Sequence, residues 1–363
     1  MRTDAQAGPV VAGMISIAGF GMNGAINPSF DEVHGAAGSD RPLLDVSNLH
    51  VHFRLGSRLV RAANGVSFQV RSGETLAILG ESGSGKTVTM EAILGVLESP
   101  PGHVTNGRAI FAGQDLLSMP ASERRRLCGR RIAMVFQDPM SSLNPVYTVG
   151  WQIAEMFRIH LGATRSAARR EAIRLLKRVG IPDASERVNN YPHQFSGGMR
   201  QRVVLAMALA ARPEVIIADE PTTALDVTVE AQILQLLKEL QAVEGIGLLL
   251  ITHSMGVVAE IADRVMVMYA GRVVETGTVN DIFARPKHFY TRGLLNSDVQ
   301  IGRAGQQLTP IPGQPPDLAR IPAGCAFHMR CPAASERCRS ETPQLRTIRT
   351  RHLSACHHAD QVV

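Results

Sequence analysis

The segment Gly80-Glu81-Ser82-Gly83-Ser84-Gly85-Lys86-Thr87 constrains the fold of this chain more than any other stretch. It fits the pattern G-x-x-x-x-G-K-[ST] and stands in the context that gives the pattern meaning. Before it, Thr75 to Leu79 reads as a short buried strand; after it, Thr87 to Leu97 reads as a helix. A strand that turns at once into a helix needs glycines, and the turned backbone aims consecutive N–H groups inward at an anion. The helix N-terminus adds a partial positive charge. In that setting Lys86 reaches the β- and γ-phosphates of a nucleoside triphosphate, and the Thr87 hydroxyl ligates Mg²⁺. The alternative, a plain glycine-rich turn, does not account for every position of the pattern in the right context.

A second part of the same site follows. Val215-Ile216-Ile217-Ala218 is an apolar strand that delivers Asp219 and Glu220 to its carboxyl end, where parallel α/β sheets place ligands. Asp219 suits Mg²⁺, directly or through water, and Glu220 suits orienting and deprotonating an attacking water. A solvated acidic pair would not explain two charges closing a buried strand. Leu248–Thr252 and Arg264–Tyr269 predict further buried strands. Strands alternating with helices imply a mainly parallel sheet covered on both faces. From Leu43 to Val70 the residues alternate, which predicts antiparallel strands at a sheet edge. Residues 150–180 read as helical, with Ala168, Ala172, Leu175, Leu176 and Val179 on one apolar stripe and Arg169, Arg170, Arg174 and Arg178 on other faces.

Composition narrows the partners. Lys plus Arg exceeds Asp plus Glu by 38 − 32 = 6. Such a balance suits nucleic acid, an anionic membrane or polyphosphates. Aromatic residues make up only 4%, with a single tryptophan, Trp151, so no stacking pattern points to nucleic acid. No stretch approaches the ~18–20 apolar residues that cross a bilayer, so any pore must come from other chains. Val10 to Phe20 lacks a preceding basic cluster and is interrupted by Gly13 and Gly19, and the chain reads as intracellular. Residues 1–41 read as a disordered leader, or as lying upstream of a later start at Met14 or Met22. Gly19-Phe20-Gly21-Met22-Asn23-Gly24 matches G-x-G-x-x-G, but Asn27-Pro28 follows and no helical pattern appears, so the match reads as chance.

Phe195-Ser196-Gly197-Gly198-Met199-Arg200-Gln201-Arg202 resembles the signature motif of ABC (ATP-binding cassette) ATPases. Ser196 is expected to cap a helix running to about Ala210, and its hydroxyl with the Gly197 and Gly198 amides would form a second anion site. The resemblance implies that this site faces the γ-phosphate of ATP held by another subunit, so that hydrolysis needs two cassettes head to tail. Gln137, in Phe136-Gln137-Asp138-Pro139, resembles the Q-loop glutamine that touches Mg²⁺ and senses the membrane subunit. Ala224-Leu225-Asp226 resembles the D-loop, and His253 the histidine that contacts the γ-phosphate. The implied fold is a P-loop NTPase of the ABC type over 42–300. It has a mainly parallel sheet, an antiparallel edge subdomain and a helical insertion at about 140–205.

Several stretches are similar to the oligopeptide/dipeptide importer branch: Gln137 to Pro145, Pro286 to Thr291 with Leu294-Leu295, and Ile311 to Pro316. That resemblance implies a transport ATPase at the cytoplasmic face of the membrane. Its implied partners are a second ATPase subunit, favoured to be a paralogue, two membrane-spanning permeases and an external peptide-binding protein. Nickel importers share much of this core and remain an alternative for the substrate. A soluble repair or translation ATPase would carry two cassettes or a long coiled-coil insertion; a redox-regulated nucleotide-binding protein would not need Glu220 and His253. Three positions depart from the pattern. Ser254 follows His253 where an acid is frequent, and Phe195 stands where Leu is common. Arg61 occupies the region where many ABC domains stack adenine on an aromatic ring, and its guanidinium plane is the candidate for that contact.

After about residue 300 five prolines, from Pro310 to Pro322, break regular structure, and 301–363 reads as a separate small module. Cys325, Cys331, Cys338 and Cys356 are spaced C-x5-C-x6-C-x17-C, with none of the tight pairs usual for zinc. Disulfides are disfavoured inside the cell. Four thiolates at loose spacing suit a [4Fe–4S] cluster, with Zn²⁺ and four unrelated thiols as alternatives. Members of the branch it resembles include proteins with such a cluster. Cys128 reads as a bystander.

Overall fold

The computed structural model describes residues 41–223, 225–297 and 309–362. The leader, with its G-x-G-x-x-G match, and Ala224 lie outside these residues. In chain order the strands are β1 (Leu44–Leu55), β2 (Arg58–Val70), β3 (Thr75–Leu79), β4 (Gly102–Phe111), β5 (Gln114–Asp115) and β6 (Ile132–Val135). They continue as β7 (Val215–Asp219), β8 (Gly247–Ile251), β9 (Arg264–Tyr269), β10 (Arg272–Thr278), β11 (Arg346–Arg349) and β12 (His352–Ser354). Two sheets result, ordered β2-β1-β4-β5 and β11-β12-β10-β9-β3-β8-β7-β6.

The larger sheet holds the parallel set expected from sequence: β9, β3, β8, β7 and β6 run side by side in parallel. Every residue of β3, β7 and β8 is buried. That is the reason their sequences are continuous apolar runs rather than alternating ones. The alternation from Leu43 to Val70 does encode antiparallel strands, but they are not the edge of this sheet. β1 and β2 belong to the smaller sheet. Its inner residues Leu44, Val46 and Val66 share a core with Leu76, Ile78 and Ile217 of the larger one. Alternation records that one face is covered; it does not say which sheet the strand joins.

The helical region divides into Val149–Leu161 and Arg165–Arg178, with Gly162 between them in the left-handed conformation at φ 66°. The apolar stripe is buried as expected: Ala168, Ala172, Leu176 and Val179 are fully covered. They pack with Ile153, Val203 of the helix Gly197–Leu209 and Leu237 of the helix Val227–Glu244.

The C-terminal residues do not stand apart. β12 pairs with β10 through Glu275 opposite Ser354, and β11 pairs with β12. Phe327, Cys356 and Ala359 are buried in one cluster with Leu79, Val267 and Tyr269. A proline-rich stretch of this length cannot bury enough apolar surface on its own, so it completes the edge of the large sheet instead. The module expected after residue 300 is thus an extension of the cassette within the unit 42–363.

Candidate active site at the carboxyl ends of the parallel strands

β3 ends at Leu79 and the chain turns through Gly80–Gly85 into the helix Lys86–Leu94. Gly85 caps this helix at φ 99°, and a Cβ there would lie 2.0 Å from the Ala62 carbonyl oxygen of β2. Only glycine meets both demands. The cap carries no side-chain hydrogen bond. Lys86 is buried, and its Nζ donates to the carbonyls of Gly80 at 2.7 Å and Glu81 at 3.0 Å. Burial lowers its pKa, opposed by the carboxylates of Glu220, Asp219 and Glu81.

Thr87 Oγ1 donates to Asp219 Oδ2 at 2.7 Å. Two of the three side chains expected at Mg²⁺, 132 residues apart, therefore meet across the carboxyl ends of β3 and β7, while the third, Gln137, bonds to Glu220. Burial raises the pKa of Asp219, with the Thr87 hydrogen bond opposing and the Glu220 charge adding. A divalent cation at this pair would relieve that cost, and the oxygen donor set suits Mg²⁺. Its contribution when bound is to neutralise charge on the nucleotide phosphates.

Glu220 lies at the centre of the remaining residues. Gln137 Nε2 donates to its Oε2 at 2.9 Å, Thr223 Oγ1 donates to the same oxygen at 3.0 Å, and His253 Nδ1 lies 3.2 Å from its Oε1. Its backbone sits at φ 46°, a left-handed value unusual for a residue with a long side chain. Its N–H donates to the Ile251 carbonyl of β8 at 2.8 Å. The strain and that bond together re-aim the chain as it leaves β7, so Asp219 and Glu220 point to different tasks. Sequence gave no sign of this conformation. Nor did it single out Thr223, or Glu91, whose carboxyl is raised by burial and then by the charge of Asp219.

The signature segment forms as expected. Ser196 caps the helix Gly197–Leu209, its hydroxyl accepting from Met199 N–H at 3.4 Å. The two glycines differ: a Cβ at Gly198 would meet Val229 Cγ1 at 2.4 Å, whereas at Gly197 it would meet only Leu225 at 3.8 Å. Among the described residues no hydrogen bond joins Ser196, Gly197 or Gly198 to Gly80–Thr87. Asp226 caps the helix Val227–Glu244, accepting from Val229 N–H at 3.0 Å. Ser254 likewise caps the helix Met255–Ile261, and Phe195 is a core residue, which gives both departures from the family pattern a packing role. The side chain of Arg61 is exposed and lines a cavity of about 390 Å³ with Arg272, Tyr269 and Phe327, while its N–H donates to the Leu318 carbonyl.

The four C-terminal cysteines form no disulfide. Cys338 and Cys356 are buried and the other two half-buried. Burial pushes the Cys325 and Cys356 thiols up to about 11 and raises Cys331. Each of these three also feels the charge of other cysteines of the set, and receives a backbone N–H from the residue two positions on, Phe327, His358 and Ala333 respectively. Even so, among the described residues no group of three or more His, Cys, Asp or Glu side chains is arranged to hold a metal ion. The expected ligand shell, for zinc or for a cluster, is therefore not formed.

Comparison with known proteins places these features in a family. Residues 63–223 match the ABC transporter family, and residues 274–338 match the oligopeptide/dipeptide transporter C-terminal region. A dipeptide transport ATP-binding protein of Bacillus subtilis is 51% identical over 320 residues, covering 88% of this chain and 95% of its own. The protein of the same description from Escherichia coli is 49% identical over 316 residues, covering 87% and 96%. Among solved structures, a dimeric post-hydrolysis ATP-binding cassette bound to ADP and Pi matches with a TM-score of 0.59 at 26% identity, covering 65% of this chain and 98% of that one. The structure of cbiO1 from Clostridium perfringens, part of the ABC transporter complex cbiONQ, matches with a TM-score of 0.57 at 29% identity, covering 67% of this chain and 91% of that one.

Proposed function

Because the chain belongs to the ABC transporter family, and carries the C-terminal region of its oligopeptide/dipeptide members, we propose that it is the ATP-hydrolysing subunit of a peptide importer, peripheral at the cytoplasmic face of the membrane. The observation that carries the reading is the meeting of Thr87 with Asp219, and of Gln137 and His253 with Glu220, at the carboxyl ends of the parallel strands. Such a constellation serves phosphoryl transfer by positioning and charge neutralisation.

In this reading the amides of Gly80–Thr87, including those of Ser82, Gly83 and Ser84, cradle the phosphates, and Lys86 leaves its carbonyl partners to contact them. Thr87 and Asp219 hold Mg²⁺, with Gln137 completing its surroundings. Glu220 orients the attacking water and takes its proton, while His253 braces the carboxylate and meets the γ-phosphate. Ser196, Gly197 and Gly198 act on the nucleotide of a second cassette, with Asp226 at the junction. Two permeases supply the pore. Among the described residues no helix is long and apolar enough to cross a membrane. An external protein captures the peptide. Nickel is the second substrate reading; the relatives' descriptions favour peptide.

The test is co-purification from detergent-solubilised membranes. The chain should emerge with two polytopic subunits and a partner ATPase, and peptide with its binding protein should stimulate hydrolysis. A chain that stays in the soluble fraction, with no such subunits, overturns the transport reading.

The cysteines receive a finer proposal, a [4Fe–4S] cluster. Two features support it: mutual proximity of the thiols, and N–H groups from the residues two positions on, which favour sulfur in its charged form. Anaerobically purified protein should contain iron and acid-labile sulfide at about four each per chain. Stoichiometric zinc without iron overturns this.

A further inference from the structure

Glu81, the first variable position of the phosphate loop, is gripped from outside the cassette core. Its N–H donates to Tyr290 Oη at 2.8 Å. Both of its carboxylate oxygens are taken by one guanidinium: Arg330 Nη1 donates to Oε2 at 2.6 Å and Nη2 to Oε1 at 2.8 Å. Arg330 belongs to the C-terminal region, 249 residues further along the chain and directly before Cys331.

The guanidinium is itself fixed. Its side chain is 5% exposed, Nε donates to the Pro312 carbonyl at 2.8 Å and Nη1 donates to Tyr269 Oη at 3.3 Å. It also stands 5.8 Å from the ring of Tyr269 and 5.9 Å from that of Phe327. A planar fork held on every side in this way transmits position, not only charge. Burying an ion pair is a poor route to stability compared with apolar packing, so its placement on a loop residue calls for another role.

The loop residue it grips is the one that matters for the lysine. The Glu81 carbonyl accepts from Lys86 Nζ at 3.0 Å. A chain of direct contacts therefore runs from Phe327 and Pro312 through Arg330 and Glu81 to Lys86. In the sequence its two ends lie in regions that read as separate, the cassette over 42–300 and the module over 301–363.

We propose that Arg330 is a positioning residue for ATP: by holding Glu81 it presets the phosphate loop, so that the C-terminal region sets the affinity of the cassette for nucleotide. The inference rests on the reading of Gly80–Thr87 as the ATP phosphate site. An organised loop gives up less conformational freedom on binding, so the bridge acts on affinity rather than on the chemical step.

The test measures binding of a fluorescent ATP analogue, MANT-ATP, to the full chain in its membrane complex. Arg330→Met and Glu81→Gln should each weaken binding about tenfold, and the double variant should be no weaker than either single one. For Arg330→Met the turnover number at saturating ATP should stay within about twofold, and Arg330→Lys should recover part of the affinity. Wild-type affinity in a folded Arg330→Met overturns the proposal, as do losses that multiply in the double variant. Should Arg330→Met not fold, Glu81→Gln decides alone, and unchanged affinity there overturns it. Lys86→Ala separates the two readings: if that variant binds MANT-ATP as the wild type does, the phosphate-site assignment itself falls. If it does not bind while Arg330→Met binds normally, only the present inference falls.

Discussion

The proposed function gives two helix N-termini an anion to receive, and they are furnished in opposite ways. The helix Lys86–Leu94 starts on a glycine cap without a side-chain bond. Its surroundings supply a buried lysine and two carboxylates, Asp219 and Glu220. The helix Gly197–Leu209 starts on Ser196, whose hydroxyl already accepts from Met199 N–H, and among the described residues no hydrogen bond links it to the phosphate loop. The first N-terminus has its catalytic groups in the same chain; the second has a shaped, exposed end and none of them. On the proposed function, that asymmetry is what a half-site looks like when two cassettes meet head to tail. It agrees with the dimeric cassette among the structural matches.

The comparison breaks most clearly at Glu220. Glu220→Gln keeps the shape of the site and the bond from Gln137 but removes the base. Steady-state hydrolysis should fall at least about 100-fold while ATP binding persists. Near-normal turnover would assign the base to another group. The next test is at the second terminus. Ser196→Arg should lower hydrolysis in the assembled complex about 100-fold by filling the site meant for the other chain's phosphate. Nucleotide labelling at this chain's own Lys86 should be unchanged; an equal fall there would show that both termini serve one nucleotide.

Smaller effects separate the two signature glycines. Gly198→Val drives its side chain into Val229 and should cost about 1–3 kcal/mol, read as a lower Tm. Gly197→Ala meets only Leu225 at ordinary contact distance and should change stability by less than about 0.5 kcal/mol. Equal losses would mean that Gly197 too is a packing residue. Asp226→Ala, which deletes the cap of the helix Val227–Glu244, should cost about 1 kcal/mol by thermal unfolding.

Where the site was legible, it was legible because its parts are local. A loop between a strand and a helix, a strand with charges at its end, and a serine before two glycines each carry their geometry in a few consecutive residues. Capping explains why Ser196 could be placed from sequence: it sits directly before its helix and bonds to the N–H three residues on. Asp226 and Ser254 cap their helices in the same way, which only the structure showed.

Sequence alone therefore determined the parallel sheet, the glycine-rich loop at its carboxyl end, the strand that ends on Asp219 and the family. Burial on both faces and tight turns write themselves into adjacent residues. Only the tertiary structure decided which sheet β1 and β2 join, that Glu220 takes a left-handed backbone, and that the C-terminal region extends the sheet rather than standing alone. It alone brought Arg330 to Glu81. The bridge spans 249 residues, and neither partner's neighbours in the chain carry any trace of the other. Contacts of that kind arise from packing β12 against β10 and Phe327 against Tyr269, interactions whose geometry exists only once the chain has closed on itself.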